Sequence, residues 1–232
     1  MIYRFIKSVL ILWITTVCIV THVNGQLKVI AHYNMGKSGN ISFMLTPDSL
    51  KDLSGNSNNL KRTGSPVFFA DAPESSRLKG DGSVLFRGEA SYLLEEGKVK
   101  RLQRFVLELT IRAEPVLEER DNKKNVLVYG DKSSGYRIVR MRDGWALIVD
   151  GETNYTITPL LKGAWTYLAL VSDGNGEVTI YANGKKLKRV KASHKTLREF
   201  AIGSAHDLEA FDGLVYEVRL SELTGKLNME RD

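Results

Sequence analysis

The sequence predicts an all-β protein built from two stacked antiparallel sheets. Short alternating segments recur along the chain, separated by glycine-containing pairs that favour tight turns. The clearest run covers residues 165–187, in which residues 173–176 and then Asn183-Gly184 each join two strands. Asn-Gly is typical of a type I′ hairpin turn. The first of these strands is apolar on both faces, which predicts a central strand in a two-sheet stack.

The other strands follow from the same patterns. Residues 105–112 alternate apolar with polar or β-branched side chains, which indicates a half-buried strand. In chain order the predicted strands are 28–34, 66–69, 83–87, 105–112, 125–129, 136–142, 145–149, 153–158, 165–171, 177–182, 185–192, 200–204 and 211–220. No linker, low-complexity tract or internal repeat divides them, so we predict one domain over residues 26–232.

The first 25 residues predict a secretory signal peptide. Arg4 and Lys7 precede an apolar run over residues 9–20, and small or polar residues follow up to an expected cleavage after Gly25. An uncleaved membrane anchor is the alternative, although the run is shorter than the roughly 20 residues of a spanning helix. The expected location is extracellular, or the periplasm or cell surface if the source is bacterial, with no membrane span after cleavage.

Charge and cysteine content limit the chemistry of the mature chain. The formal net charge is +6, and loss of the signal with its two cations leaves +4. Cys18, the single cysteine, lies in the signal, so disulfides and cysteine catalysis are excluded. The basic cluster at residues 185–191 is either a polyanion-binding patch or a lysine-protected edge strand. No aromatic residue interleaves with it, so nucleic acid is not an expected partner.

Four segments resemble a known family. Residues 52–60 are similar to a D-x-S-G-x-x-N-x-L loop, and residues 82–86 to a G-x-x-x-F strand. Residues 165–187 are similar to a W-x-x-L-A-x-V…V-x-I-Y-x-N-G-K-x-L hairpin, and residues 211–220 to a closing F-x-G-x-I-D-E-V-R-I strand. Together they resemble the laminin-G-like branch of the concanavalin A-like lectin/glucanase superfamily.

The resemblance implies a jelly-roll sandwich of two antiparallel sheets, one concave and one convex. It also implies binding of carbohydrate or another protein, commonly with calcium at the rim. Tyr216 stands where the family pattern usually has Asp. By alternation Tyr216 is expected to face inward, which weakens a family-style site because calcium requires several oxygen ligands.

No arrangement typical of an enzyme is present in the sequence. Glucanases of the superfamily carry their carboxylates as E-x-D-x-E on one strand face, and the nearest run, residues 207–212, has the wrong order. Glu108 and Glu217 are interpreted as lone, solvent-facing carboxylates. The mature chain's histidines lack metal-ligand spacing, and the common nucleophile, phosphate-loop and zinc-protease motifs are missing. We therefore predict a protein that is not an enzyme.

The early loop supplies the main candidates for a binding site. Asp52, Asn56 and Asn58 offer a carboxylate and amides suited to calcium or to sugar hydroxyl groups. Asp212 is expected near the same rim, because the resemblance pairs the first and last segments, so Asp52 and Asp212 are the metal candidates. The alternative is a turn cluster whose polar side chains bond to the nearby backbone.

Two tyrosines are candidates for stacking on a sugar. Tyr136 and Tyr155 have polar neighbours and are expected to be exposed, whereas Trp145 alternates with Leu147 and Val149 and is expected in the core. The sequence thus predicts a secreted, non-catalytic binding module whose ligand is a glycan. An extracellular protein-interaction or adhesion module is the first alternative. A divergent glycoside hydrolase, with two carboxylates roughly 5–9.5 Å apart on one face, is the second.

Overall fold

The fold is seen in a computed structural model, which describes residues 27–35, 48–74, 82–88, 90–94, 102–113, 124–130, 135–141, 144–151, 153–159, 163–192, 200–203 and 212–224. The predicted signal peptide lies outside these ranges and stays a prediction. Within the described ranges, no helix is long and apolar enough to cross a membrane. Sixteen strands are present in them. They are β1 (Leu27–Asn34), β2 (Ser49–Leu50), β3 (Leu60–Thr63), β4 (Val67–Phe69), β5 (Ser83–Phe86), β6 (Ser91–Leu93), β7 (Arg104–Ala113), β8 (Lys124–Gly130), β9 (Gly135–Met141), β10 (Gly144–Val149), β11 (Thr153–Pro159), β12 (Trp165–Asp173), β13 (Glu177–Ala182), β14 (Lys185–Lys191), β15 (Phe200–Gly203) and β16 (Gly213–Leu223).

The strands form two antiparallel sheets, which confirms the predicted jelly-roll sandwich. The first sheet has the order β14-β13-β12-β7-β16-β5-β4, and β1 also pairs with β16. The second sheet has the order β11-β10-β9-β8-β15-β6-β3-β2. The long strand β16 pairs with β5 through its first residues and with β1 through the rest. As a result, the first and last strands of the sandwich are neighbours.

The β12–β13–β14 unit matches its prediction from sequence. β12 lies between β13 and β7, so it is a central strand as its two apolar faces indicated. Asn183 and Gly184 have φ angles of 48° and 81°, both positive as a type I′ turn requires. The Asn183 side-chain oxygen also accepts the backbone N–H of Tyr167 at 2.9 Å. β14 is the edge strand of the first sheet, and its lysine-rich side chains are exposed.

In the part of the chain that the structure describes, one large apolar cluster fills the space between the sheets. Trp145 lies in it, as predicted. Tyr136, expected to be exposed, is also in this core with only 1% of its surface accessible, so that prediction is wrong. Its ring packs edge-on against Phe105, with centroids 5.3 Å apart. Tyr136 pairs across the strands with the buried Tyr129, and its polar sequence neighbour Arg137 points to the opposite face by strand alternation.

A β-bulge in β16 overturns the expected orientation of Tyr216. The pairing with β7 shifts between Val215 and Glu217, so one additional residue interrupts the alternation. Val215 and Val218 both reach the core. Tyr216 instead packs on Trp165, which points away from the second sheet, with ring centroids 6.3 Å apart. Tyr216 is therefore buried on the outer side of the first sheet.

Buried tyrosines predict a loss of stability at alkaline pH. Burial raises the pKa values of Tyr33, Tyr129 and Tyr136 above the ordinary value. Because each folded-state pKa exceeds the unfolded one, this stabilisation is complete below about pH 10 and is lost as the pH rises further. We expect the free energy of unfolding in urea to fall above pH 10 by up to about 1.4 kcal/mol per pH unit for each such tyrosine. Tyrosinate absorbance should then appear together with unfolding; titration of these rings near pH 10 in the folded protein would contradict the prediction.

Candidate functional site

The carboxylate of Asp52 holds together the loop that follows β2. It is 4% exposed, and each of its oxygens accepts two hydrogen bonds. Oδ1 accepts the backbone N–H groups of His32 and Ser54 at 3.0 and 2.9 Å. Oδ2 accepts the backbone N–H of Asn58 at 3.0 Å and the Ser54 hydroxyl at 2.8 Å. Donors of the loop and of β1 thus occupy both oxygens, so the structure matches the alternative of a self-bonded turn cluster.

The two asparagines of the loop attach it to β1. The Asn56 side-chain amide donates to the carbonyl oxygens of Val29 and Ile30, both at 3.0 Å. The Asn58 amide donates to the carbonyl of Ile30 at 2.8 Å, and the Asn58 carbonyl accepts the Tyr33 hydroxyl at 2.6 Å. Both predicted ligand-binding amides therefore connect the loop to the first strand.

Asp212 does not approach Asp52, which corrects the predicted metal pair. Asp52 bonds to His32, and His32 lies opposite Arg219 in the β1–β16 register. Asp212 is seven residues before Arg219 in the chain, which corresponds to roughly 20 Å along an extended strand. Its backbone carbonyl instead accepts a hydrogen bond from Arg140 of β9 at 3.1 Å. Among the described residues, no group of three or more His, Cys, Asp or Glu side chains could hold a metal ion.

Tyr155 lies at an open edge of the sandwich. It is half-buried on β11, the edge strand of the second sheet, and packs against the core. The Lys188 ammonium of β14 sits 5.1 Å from the centroid of its ring. Tyr155 thus contacts the basic edge strand of the other sheet and does not join the Asp52 loop in one site.

The outer face of the first sheet carries a polar and aromatic group that the sequence analysis did not identify. We define the outer face as the side of this sheet that points away from the core. At its centre, Arg219 of β16 lies opposite His32 of β1 on one side and Glu108 of β7 on the other. Trp165 and Tyr167 of β12 lie opposite Arg112 and Thr110 of β7. The face thus combines residues from four adjacent strands.

Glu108 is the buried centre of this face. Its side chain accepts two hydrogen bonds from the Arg219 guanidinium, both 2.7 Å long, and one from the Tyr167 hydroxyl at 2.6 Å. Glu108 is 6% exposed although it lies on the outer side. Its hydrogen bonds raise the pKa of Arg219, while burial and then the Glu108 charge raise the pKa of Tyr167. These groups are held in one arrangement by paired, charge-assisted hydrogen bonds.

Glu217 lies on the same face and pairs with His32. The His32 Nε2 atom is 2.6 Å from the Glu217 Oε1 atom, and both side chains are half-buried. The interpretation of Glu108 and Glu217 as lone, solvent-facing carboxylates is therefore wrong. Their partners come from other strands, and strand alternation alone does not give the register that brings them together.

An aromatic corner completes the outer face. Trp165 is half-buried, with the Tyr216 ring at its side and the Arg112 guanidinium 5.4 Å from its centroid. Arg112 in turn makes a short contact with the carboxylate of Asp71. The corner therefore presents a partly accessible indole that is fixed in place by an ion pair and by a second ring.

A comparison of the sequence with known protein families gives the same fold class as the structure. A laminin-G-like family model, described as the concanavalin A-like lectin/glucanases superfamily, matches residues 100–225, more than half of the chain. The chain belongs to this superfamily. The resemblance drawn from the four sequence segments is confirmed over this range, which contains β7 and β16 of the outer face. No curated protein matches the sequence.

Solved structures with the same fold include several binding domains. This laminin-G-like protein is similar to domain 4 of AbnA, a GH43 extracellular arabinanase from Geobacillus stearothermophilus, in complex with arabinotriose. The TM-score is 0.60 at 20% identity, over 87% of this chain and 95% of the other. The binding domain of botulinum neurotoxin serotype D has a TM-score of 0.61 at 9% identity, over 85% of this chain and 49% of the other. The binding domain of botulinum neurotoxin DC, in complex with SialylT, has a TM-score of 0.57 at 13% identity, over 87% of this chain and 49% of the other. The chain thus spans about half the length of these neurotoxin domains.

Proposed function

We propose that this laminin-G-like protein is a secreted, non-catalytic, carbohydrate-binding module, and that the outer face of its first sheet is the binding surface. The observation that carries the proposal is an aromatic pair on the same side of β12 as the fixed polar groups: Tyr167 bonds to Glu108 of the Glu108–Arg219 pair, and Trp165 lies two residues further along the strand. Small-molecule sites combine aromatic side chains with a few well-placed polar groups. The outer face has both.

The geometry suits a sugar for two reasons. The partly accessible Trp165 ring offers a surface for the apolar C–H face of a sugar ring. The Glu217 carboxylate and the His32 ring nitrogens supply acceptors and donors for hydroxyl groups. Because ion pairs already hold these side chains, less conformational freedom is lost when a ligand binds.

The comparisons support the class of ligand by analogy of fold. Arabinotriose is bound by domain 4 of the Geobacillus arabinanase, a domain that matches this chain over 95% of its own length. A likeness of fold does not transfer a site, so the residues of the outer face carry the proposal for this protein. The predicted signal peptide and the extracellular source of that domain favour secretion.

A hydrolytic role is disfavoured by the bonding of the two carboxylates. Glu217 lies opposite Thr110, two residues from Glu108, which makes the acids diagonal neighbours about 7–8 Å apart across the strands. That spacing falls within the range for glycosidases. Glu108, however, accepts donors from Arg219 and Tyr167 on both oxygens, an arrangement that leaves it poorly placed to protonate a leaving group.

Calcium is not part of this proposal. The resemblance implies it at the rim, and Asp52 is the residue that would bind it. That carboxylate would have to give up four hydrogen bonds from its own loop. We therefore expect the affinity for glycans to be the same when it is measured with calcium and with a chelator.

Replacement of Trp165 tests the proposed surface. We expect Trp165→Ala to weaken glycan binding about tenfold or more, because one stacking ring contributes on the order of 1.4 kcal/mol. The measurement is a glycan-array screen followed by calorimetric titration of the best ligand. Phe69→Ala is the matched control, because Phe69 is an exposed aromatic on the far edge of the same face, four strands or roughly 19 Å from Trp165 and outside the group formed by β1, β16, β7 and β12.

A protein-interaction role is the second candidate, and β4 is the observation that favours it. This edge strand leaves Val67 and Phe69 exposed at 39% and 46%, and an exposed strand edge can pair with a strand of a partner. A blank array, together with a protein partner whose binding is lost in Phe69→Ala and retained in Trp165→Ala, would replace the carbohydrate proposal with this one.

A further inference from the structure

We infer that the saccharide bound by the outer face is uncharged, and that Glu217 excludes acidic sugars such as uronates and sialic acids. This inference rests on the proposed carbohydrate-binding function and names the class of ligand for that site. It follows from the way in which the charges of the face are paired.

The cations at the centre of the outer face have carboxylate partners. Arg219 is bonded to Glu108 through two nitrogen atoms. Three more pairs enter the charge balance. They are His32–Glu217 and Arg112–Asp71 near it and, further along the sheet on β13 and β14, Arg189–Glu177. If His32 is protonated these four pairs sum to zero, and if it is neutral they sum to one negative charge. Neither protonation state makes the group positive.

An acidic sugar would therefore meet unfavourable electrostatics at this surface. To reach the Arg219 guanidinium, its carboxylate would have to compete with the buried Glu108 and would lie close to Glu217. Juxtaposed like charges in an interface cost several kcal/mol. A hydroxyl group meets no such penalty, because it can donate to the Glu217 carboxylate and accept from a ring nitrogen of His32.

The basic edge strand does not change this conclusion for the centre of the face. The exposed cations of β14 lie four strands from β16 in the sheet. At about 4.8 Å per strand this separation is roughly 19 Å, more than twice the Debye length of about 8 Å at physiological ionic strength. Their attraction for an anion bound beside Arg219 is largely screened.

Matched pairs of neutral and acidic glycans test the inference. The probes are lactose with sialyllactose, and galacto-oligosaccharides with oligogalacturonides of the same length, together with arabinotriose as a further neutral sugar. We expect the wild-type protein to bind the neutral members at least about tenfold more tightly than the acidic ones, a difference of roughly 1.4 kcal/mol. Its affinity for the neutral members should stay within about twofold between low and high salt, since no net charge is engaged.

Glu217→Gln then tests the residue that sets the preference. Removal of this carboxylate leaves His32 and Arg219 facing the ligand with one negative charge fewer, so we expect affinity for the acidic members to rise about tenfold. Glu222→Gln is the matched control. It removes the same charge from the same strand, at a position opposite Phe105 of the core-facing side, and should leave the preference unchanged.

The outcomes separate the inference from the proposed function. Tighter binding of the acidic members by the wild-type protein, lost in Trp165→Ala, would overturn the inference and leave the carbohydrate proposal standing. Binding of no glycan would overturn both. The role assigned to Glu217 would be contradicted if Glu222→Gln raised the affinity for acidic sugars equally, or if Glu217→Gln did not raise it.

Discussion

Asp52→Ala is expected to lower the free energy of unfolding by about 3–5 kcal/mol, because hydrogen bonds to a charged group contribute about 1.5–3 kcal/mol each and unsatisfied buried donors add a further penalty. The substitution removes an almost fully buried carboxylate that accepts four hydrogen bonds. Three of the donors are backbone N–H groups, including that of His32 in β1. The effect is measured by urea denaturation of the variant and the wild-type protein.

Asp48→Ala is the control for this prediction. Asp48 precedes the same loop, but its side chain is 93% exposed and its pair with Arg62 lies at the surface. Loss of an exposed pair costs about 0–1 kcal/mol. Two results together would contradict the structural role and show that Asp52 is a metal ligand. The first is an equally small loss of stability in both variants, and the second is a calcium-dependent rise in the Tm of the wild-type protein that Asp52→Ala abolishes.

Glu108→Ala is expected to destabilise the fold by a similar amount, about 3–5 kcal/mol, because it breaks a buried ion pair by removing one partner. Arg219 would keep its charge without the carboxylate that holds it, and the Tyr167 hydroxyl would lose its acceptor. The affected residues lie on β7, β12 and β16, three adjacent central strands of the first sheet. Urea denaturation again gives the free energy of unfolding.

Glu177→Ala is the matched control on the same sheet. Its carboxylate pairs with Arg189 at 3.4 Å, and both side chains are well exposed, so a change under about 1 kcal/mol is expected. A double-mutant cycle of Glu108→Ala with Arg219→Met should give a coupling energy of at least about 1 kcal/mol for residues in direct contact. Additive effects would contradict the central role given to this ion pair.

Local patterns were sufficient to predict the sandwich but not its site. Alternation placed the strands, and the Asn183–Gly184 pair gave the correct hairpin, because both depend on residues close in sequence. The short strands β2, β3 and β6 were missed, since two to four residues carry too little periodicity. The bulge at Tyr216 was also not visible, because it depends on the pairing of β16 with β7.

The candidate site depends on register between strands distant in sequence. Glu108 and Arg219 are 111 residues apart in the chain, and His32 and Glu217 are 185 apart. A pattern within one strand gives the face on which a side chain lies, but it does not give the neighbour opposite. The same limit explains Asp212: the first and last strands do pair, yet the register aligns Asp52 with the middle of β16 and leaves Asp212 far away.

The most direct test of the account is a nuclear magnetic resonance titration of the labelled protein with arabinotriose or the best neutral ligand from the array. If the outer face binds the sugar, the largest shifts will fall on the Trp165 indole and on the backbone amides of Tyr167, Glu217 and Arg219. Shifts confined to residues 52–59, or to the β4 edge strand, would place the ligand elsewhere and contradict the central claim.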